Sequence, residues 1–337
     1  MSLVINSYNH PYQGWSSVPS TGSQNLIRVS GSGQIQYSVF GTNGLYKSID
    51  YGKTWSYVNF INDYISSLEI SDSGQIIYAT NSVITDQVNS VFKSSDFGNT
   101  WNLLNPLPIF HPYLRQYVIL NSSNDGSEVM LVATRLQGPD FYPPKFARSI
   151  DGGNTFTYTE PTSLPNSFDF WSVKSSRDFS FIYTKRFNPN PSSTSGASEL
   201  YKSIDYGANW VNCFTNAELV ARDQISTSRN GEIVFIHENA PQTFPSVIIG
   251  TAISINFGQT WNPYGLANSS LAAFSDDNKY ITLIKTESGL NPYSQVFTNF
   301  GYRINVPVTS DISMSLDGRF QSLATNNLIW INNNFGY

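Results

Sequence analysis

The amino-acid sequence predicts an all-β protein: a seven-bladed β-propeller of four-stranded antiparallel blades, its ring closed by the N-terminal strand pairing with the last blade. Three observations carry that expectation. One segment recurs as YKSIDYGKTW (Tyr46 to Trp55), FKSSDFGNTW (Phe92 to Trp101), ARSIDGGNTF (Ala147 to Phe156), YKSIDYGANW (Tyr201 to Trp210) and AISINFGQTW (Ala252 to Trp261). Two degenerate copies follow, VFTNFGYRI (Val296 to Ile304) and IWINNNFGY (Ile329 to Tyr337). A second turn signal repeats in phase with the first: SGSGQ from Ser30, SDSGQ from Ser71, SNDGSE from Ser123, SRNGE from Ser228 and SLDGRF from Ser315. The third observation is a composition rich in Gly, Pro, Asn, Ser and Tyr, which favours strands and turns.

The motif glycines, Gly52, Gly98, Gly153, Gly207, Gly258, Gly301 and Gly336, stand 35 to 55 residues apart, the spacing of a four-stranded propeller blade. Each unit reads as four strands. In the second, ISSLEIS from Ile65 meets the turn DSG, then QIIYATN, a loop, SVFKSSD, the motif turn and TWNLLN. Asp or Asn before Gly between alternating apolar runs marks a hairpin. The expected blades cover about 24–60, 64–105, 116–160, 168–215, 222–264, 269–307 and 310–337, all in one domain spanning 1–337. The seventh motif reaches Tyr337 without a fourth strand. YQGWSSV (Tyr12 to Val18) matches the GKTWSYV of the first unit, so residues 12–18 are expected as the outer strand of blade 7.

Composition excludes several classes. Charged residues make up 13% of the 337, against about 25% in an ordinary soluble domain. Aromatics reach 15%, which supplies ample surface to bury and argues against disorder. Net charge is −5 and the pI about 5.2, without the basic stripe of a nucleic-acid binder, so no nucleic-acid partner is expected. Cys213 is the single cysteine, so neither an intrachain disulfide nor a cysteine metal cluster forms. The opening MSLVINSYNHPYQGW carries no basic region followed by an apolar core, hence no signal peptide is expected. The longest apolar run, Val247 to Ile255, is far shorter than the ~20 residues of a membrane helix.

The recurring segment resembles the Asp-box, or BNR, repeat S-x-D-x-G-x-T-W of sialidases, sortilin-type receptors, xyloglucanases and photosystem II assembly-factor propellers. The matching residues are Ser48, Asp50, Gly52 and Trp55; Ser94, Asp96, Gly98 and Trp101; and Ser149, Asp151, Gly153 and Phe156. They continue as Ser203, Asp205, Gly207 and Trp210, then Ser254, Asn256, Gly258 and Trp261. The aspartates are expected to accept backbone N–H bonds across a tight turn, with the serine adding a local bond and glycine supplying positive φ. The Trp is expected to cover the turn and fill space between sheets. Asn256, Asn299 and Asn334 replace the aspartate in the last three copies.

In propellers of this resemblance the box turns share one face, and the opposite face is built by the loops between second and third strands and by the connections between blades. That second face receives the long segments Asn105 to Tyr117, Arg135 to Lys145, Pro161 to Trp171, Arg186 to Glu199 and His237 to Pro245. Long loops on a rigid scaffold are where binding concentrates. The candidate ligand-binding residues are His111, Tyr113, Arg115, Phe141, Tyr142, Phe168, Trp171, Arg186 and His237, aromatic plates beside polar groups that suit a glycan or a peptide. The same residues also suit simple packing of the loops onto the blades. His111 and His237 without an acidic cluster make a poor metal site, and no metal or cofactor is expected.

Catalysis is the alternative. A glycoside hydrolase of sialidase or xyloglucanase type needs two carboxylates about 5–10 Å apart. Asp63, Asp169, Asp223 and Asp311 lie at or just before first strands and are the candidates around a central opening. Their other role is to bond exposed backbone at strand starts. The resemblance to sialidases implies an Arg-Ile-Pro motif near the start. Here the nearest match, YRINVP (Tyr302 to Pro307), falls in the sixth unit and is interrupted before its proline. Xyloglucanases place their carboxylates between two propellers, whereas the repeats here make one. The expectation is therefore a non-catalytic recognition propeller that binds a glycan or protein partner through the long-loop face of blades 3–5.

Overall fold

The computed structural model describes residues 15–40, 44–59, 65–81, 90–104, 116–134, 145–164, 169–187, 198–216, 224–237, 252–263, 269–287, 293–298, 303–307 and 309–332. All regular structure among them is strand and turn. The first repeat contributes β1 (Trp15–Val29), β2 (Gln36–Phe40), β3 (Leu45–Ser48) and β4 (Ser56–Val58). The second contributes β5 (Ile65–Ile70), β6 (Ile77–Asn81), β7 (Val91–Ser94) and β8 (Asn102–Leu103), and the third β9 (Gln116–Ser122), β10 (Val129–Thr134), β11 (Lys145–Ser149) and β12 (Thr157–Thr159). The fourth holds β13 (Asp169–Ser175), β14 (Ile182–Phe187), β15 (Ser198–Ser203) and β16 (Val211–Asn216). The fifth holds β17 (Ile225–Thr227), β18 (Val234–Ile236), β19 (Ala252–Ser254) and β20 (Asn262–Pro263). The sixth comprises β21 (Ser269–Phe274), β22 (Ile281–Glu287), β23 (Tyr293–Thr298) and β24 (Arg303–Pro307), and the seventh β25 (Thr309–Met314) and β26 (Gln321–Asn332).

Repeats two to six each form a four-stranded antiparallel sheet in sequential order. The expected seventh separate sheet is corrected. Among the described residues the sheets number six, and one of them is six-stranded, ordered β25-β26-β1-β2-β3-β4. The reason is β1, which runs continuously through two pairings. Its Trp15 to Pro19 lie opposite Asn332 to Leu328 of β26, while Leu26 to Val29 lie opposite Val39 to Gln36 of β2. Strand β26 is shared likewise, its Gln321 to Thr325 pairing with β25.

The chain divides into two compact units: residues 1–79, 93–102 and 271–337 form one, and residues 80–92 and 103–270 the other. Within each, apolar side chains from consecutive sheets pack together. In the second unit Met130, Val132 and Phe146 of repeat three meet Phe179, Ile182, Tyr201 and Trp210 of repeat four. Tyr183 and Leu200 of repeat four then meet Ile225, Val234 and Ile236 of repeat five. In the first unit Ile27 of repeat one packs with Ala324, Ile329 and Ile331 of repeat seven. Sheets therefore bury their faces against their neighbours, as apolar strand faces must.

The hairpin joining first and second strands has one construction in all seven repeats, starting at Ser30, Ser71, Ser123, Ser176, Ser228, Ser275 and Ser315. Each serine N–H donates to the carbonyl five residues on, at 2.8–2.9 Å. In every repeat the serine hydroxyl accepts the N–H of that fifth residue, at 2.9–3.1 Å. The copies at Ser176 and Ser275 escape the Gly pattern because Phe179 and Asn278 take the left-handed conformation instead, at φ 60° and 58°. Neighbouring hairpins are tied by backbone bonds: Asp276 N to Leu316 O at 2.7 Å, Leu316 N to Gly31 O at 2.9 Å and Gly31 N to Asp72 O at 2.8 Å. Repeats six, seven, one and two are thus consecutive neighbours in the first unit.

Deleting residues 1–18 removes the partner of β26 over Ile329–Asn332. At about 1 kcal/mol per backbone bond the loss is about 4 kcal/mol. The melting temperature should fall by about 6 °C, read by calorimetry. A truncated chain that melts with the full-length one contradicts the role given to this strand.

Candidate functional site

The box turn joins third and fourth strands and is built from one set of bonds. Ser48 Oγ donates to Asp50 Oδ1 at 2.8 Å and accepts the Gly52 N–H at 2.9 Å. Asp50 then accepts the Thr54 N–H at 2.9 Å and the Thr54 hydroxyl at 2.6 Å. The same geometry recurs at Asp96 with Thr100, Asp151 with Thr155, and Asp205 with Asn209. In repeat five the polarity reverses on one arm, where Asn256 Nδ2 donates to Thr260 Oγ1 at 2.8 Å. Each carboxylate thus accepts three hydrogen bonds, which favours its ionised form. The Thr155 hydroxyl and N–H, followed by Ser149, hold Asp151 down at about 2. These groups are committed to the turn and are poor proton donors.

Two consecutive left-handed residues close the turn. Gly207 has φ 89°, and a Cβ there would meet Phe146 at 2.8 Å, so repeat four sits against repeat three only because this position is glycine. The residue before the glycine is also left-handed, at φ 58–62° in Tyr51, Phe97, Tyr206 and Phe257. That conformation is costly for a side chain with a Cβ, and the aromatic ring recovers part of it by contact. Tyr51 stacks on Phe320 with centroids 4.4 Å apart, Phe257 on Phe181 at 4.7 Å, and Tyr206 lies under the Arg148 guanidinium at 3.8 Å. Each contact reaches the preceding repeat. The residue between Ser and Asp points outward, leaving Ile49, Ile150, Ile204 and Ile255 exposed. The Trp indoles donate to their own glycine carbonyls, at 2.9 Å in Trp55 and Trp210 and 3.2 Å in Trp101 and Trp261.

Charged residues on the first strands form a separate cluster. Arg28 Nε donates to Glu69 Oε1 at 2.8 Å, and its Nη1 to Asp311 Oδ2 at 2.6 Å. Asp311 Oδ2 also accepts the Ile27 N–H at 2.9 Å. One guanidinium thereby joins repeats seven, one and two. Burial opposes its charge, and the two carboxylates outweigh burial and raise its pKa. Sequence reasoning missed Arg28 and Glu69. Both lie two residues before a hairpin serine, and alignment of the repeats on that serine would have paired them.

The expected site residues fall as follows. His111, Tyr113, Arg115, Phe141, Tyr142 and Phe168 lie outside the described residues, as do Asp63 and Asp223. Asp169 and Trp171 are in β13 and Arg186 in β14, with their side chains outside the described set. Asp311 is in β25 and is spent on Arg28 and the Ile27 amide. His237 follows β18 and is buried, with Nε2 2.8 Å from Ser226 Oγ and its ring stacked on Phe235. Burial first, and the nearby Lys174 cation second, push its pKa down to about 3, so the imidazole is neutral at physiological pH. Cys213 is pushed up to about 12, mainly by burial, and is unreactive as a nucleophile. Among the described residues no three His, Cys, Asp or Glu gather to hold a metal ion, and no helix is long and apolar enough to cross a membrane.

No family model and no curated protein matches the chain. Solved structures do. YCF48 bound to D1 peptide is similar with a TM-score of 0.63 at 12% identity, over 98% of each chain. YCF48 from Cyanidioschyzon merolae gives 0.61 at 11% identity, over 95% of this chain and 98% of that one. An ancestral GH74 enzyme gives 0.61 at 13% identity, over 97% of this chain but 47% of its own. These likenesses show the fold: an all-β propeller with four-stranded antiparallel blades.

Two outcomes test these turns and the ion cluster. Arg28→Leu leaves Glu69 and Asp311 without their cation and should cost about 3 kcal/mol in urea denaturation. Adding Glu69→Gln and Asp311→Asn should recover most of it. Asp151 has a depressed pKa, so its stabilisation is complete above its ordinary value of 3.8 and is lost as pH falls towards about 2. Asp151→Asn should therefore flatten the fall in melting temperature across pH 4 to 2. An unchanged acid limb in that variant contradicts the assignment.

Proposed function

We propose that the chain is a single seven-bladed Asp-box propeller with a non-catalytic recognition role, and that its partner is an exposed segment of another protein. Seven hairpins of one construction, from Ser30 to Ser315, support the blade number. The observation that carries the partner class is the likeness, over 98% of both chains, to YCF48 bound to D1 peptide. The end of repeats three to five away from the box turns is the proposed contact surface, with Trp171, Arg186 and the loop residues Phe141 and Tyr142 as its aromatic and cationic anchors. Aromatic and arginine anchors dominate such interfaces energetically.

Glycoside hydrolysis is the second reading, favoured by the likeness to the GH74 enzyme. Against it stands the state of Asp311. A general acid needs a free oxygen, whereas Asp311 Oδ2 holds the Arg28 guanidinium at 2.6 Å and the Ile27 amide at 2.9 Å, and its Oδ1 accepts the Ile312 amide at 2.9 Å.

The test screens the full chain against a displayed random-peptide library, a glycan array, and fluorogenic sialosides and β-glucans. Saturable peptide binding, weakened tenfold or more by Trp171→Ala or Tyr142→Ala, is the expected result. That factor corresponds to about 1.4 kcal/mol per anchor. Empty peptide selections together with turnover abolished by Asp169→Asn or Asp223→Asn would overturn the proposal in favour of the hydrolase.

A further inference from the structure

Among the described residues every exposed large apolar side chain lies in a box turn or in the fourth strand that follows it. Scattered exposed apolar residues are ordinary, whereas their confinement to one rim is not. In the second unit the residue after the box serine is Ile150, Ile204 and Ile255 in repeats three, four and five, 66%, 68% and 43% exposed. A β-branched side chain suits the extended backbone there, but the turn does not require one. Ser95 holds the place in repeat two with the box intact, Ser94 Oγ donating to Asp96 Oδ1 and accepting the Gly98 N–H, both at 2.8 Å.

The three isoleucines follow one another from repeat to repeat. Arg148, two residues before Ile150, lies over the ring of Tyr206, two residues after Ile204. Lys202 Nζ, two residues before Ile204, donates at 2.8 Å to the carbonyl of Phe257, two residues after Ile255. Both links join the start of one box to the aromatic before the next box glycine. Packed sheets lie about 10 Å apart, so neighbouring isoleucines are separated by about three or more residues of an extended chain. Beside two of them stands a carboxylate that meets no cation. Asp151 accepts from Ser149 and Thr155, and Asp205 from Ser203 and Asn209. The cations of the same strands are engaged elsewhere, Arg148 with Glu128 at 2.6 Å and with Tyr206, and Lys202 with the Phe257 carbonyl.

We infer that the box rim of repeats three to five is a docking surface for an extended segment of another protein that interleaves apolar side chains with lysine or arginine. The isoleucines remove the apolar side chains of that segment from water, and Asp151 and Asp205 receive its cations. Exposed ion pairs contribute little each, so apolar contact carries the affinity and charge selects the partner. The two carboxylates are held ionised by their own turns, so this selection does not vary near neutral pH. A second copy of the chain is a poorer occupant, because each copy has net charge −5 and would bring its own box carboxylates to those of the first. The rim is at the box end of these repeats, apart from the surface proposed above, and its role does not depend on that one.

The probe is a labelled, end-blocked peptide of about 12 alternating valine and lysine residues, which spans about 40 Å when extended. Its binding to the full chain is read by fluorescence anisotropy. It should bind saturably, and valine–glutamate and serine–lysine peptides of the same length should bind about tenfold more weakly or less. The triple variant Ile150→Ser, Ile204→Ser and Ile255→Ser places the residue of repeat two in each box. It should weaken binding about tenfold at an unchanged melting temperature. Asp151→Asn with Asp205→Asn, the residue of repeat five, should weaken it about threefold, and added salt should do the same to the unsubstituted chain. A peptide whose binding is weakened by Trp171→Ala should not displace the probe, so either surface can fail without the other. No saturable binding, equal binding of the valine–glutamate peptide, or full binding by the triple variant would overturn the inference. Self-association of the chain that is lost in the triple variant would overturn it in favour of a second copy.

Discussion

The serine hydroxyl at each chain reversal is the interaction on which the remaining structure depends. A four-stranded blade turns back on itself twice at one end, and each reversal takes backbone N–H groups out of the ladder. Water can satisfy them only where the turn is exposed, and these serines, apart from the half-buried Ser123, are buried. In the first reversal a hydroxyl such as Ser71 Oγ takes the Ile76 N–H at 3.1 Å. In the second, Ser94 Oγ takes the Gly98 N–H at 2.8 Å while giving its own hydrogen to Asp96. Each bond contributes about 1 kcal/mol, but leaving its buried donor unmet costs more. The turns are therefore the most exacting positions in each repeat, and the strands between them are free to vary in sequence.

Fixing the turns also fixes how repeats meet. The left-handed aromatic of one box projects onto the preceding repeat, as Phe257 does onto Phe181, and its carbonyl receives Lys202. The following glycine brings its backbone against that same neighbour, as Gly207 does against Phe146. Local conformation and inter-repeat packing are thus one constraint. A residue that restored a relaxed backbone at Tyr51 or Phe257 would also withdraw the ring that ties two repeats together.

This constraint explains what was legible in the sequence. The box turns were readable because their chemistry demands fixed residue types at fixed spacing: a hydroxyl, a carboxylate two residues on, a glycine two further. Five hairpin turns were readable through Gly, and those at Ser176 and Ser275 were not, because Phe179 and Asn278 adopt the left-handed region without the residue that announces it. The sheet count diverged from seven because no local signal says whether a chain passing from one blade to the next bends or continues as one strand, and β1 continues. Of the candidate site, His237 was picked out as a polar residue at a loop edge. Its burial and its bond to Ser226 were not visible, since they depend on register. Arg28 and Glu69, and the commitment of Asp311 to Arg28, were hidden for the same reason, because the ion pair joins residues from three repeats.

Repetition supplies an internal control that a single domain lacks. Where all repeats agree, as at the hairpin serine, the requirement is that of the blade itself. Where one repeat departs at a buried position, the departure costs stability that the fold did not ask for, and it marks a place shaped by something else. The second-strand position that holds Val39, Val132, Ile284 and Ala324 holds Lys185 and His237 in repeats four and five, both buried. Burying a cation or an imidazole where a methyl group suffices requires partners for each polar atom. Ser226 Oγ meets the His237 ring at 2.8 Å, and Ser172 Oγ accepts the next repeat's amide, Ile225 N, at 3.2 Å, the task that Asp311 performs for Ile27. A carboxylate at the junction of repeats seven and one is thus matched by a hydroxyl at the junction of repeats four and five.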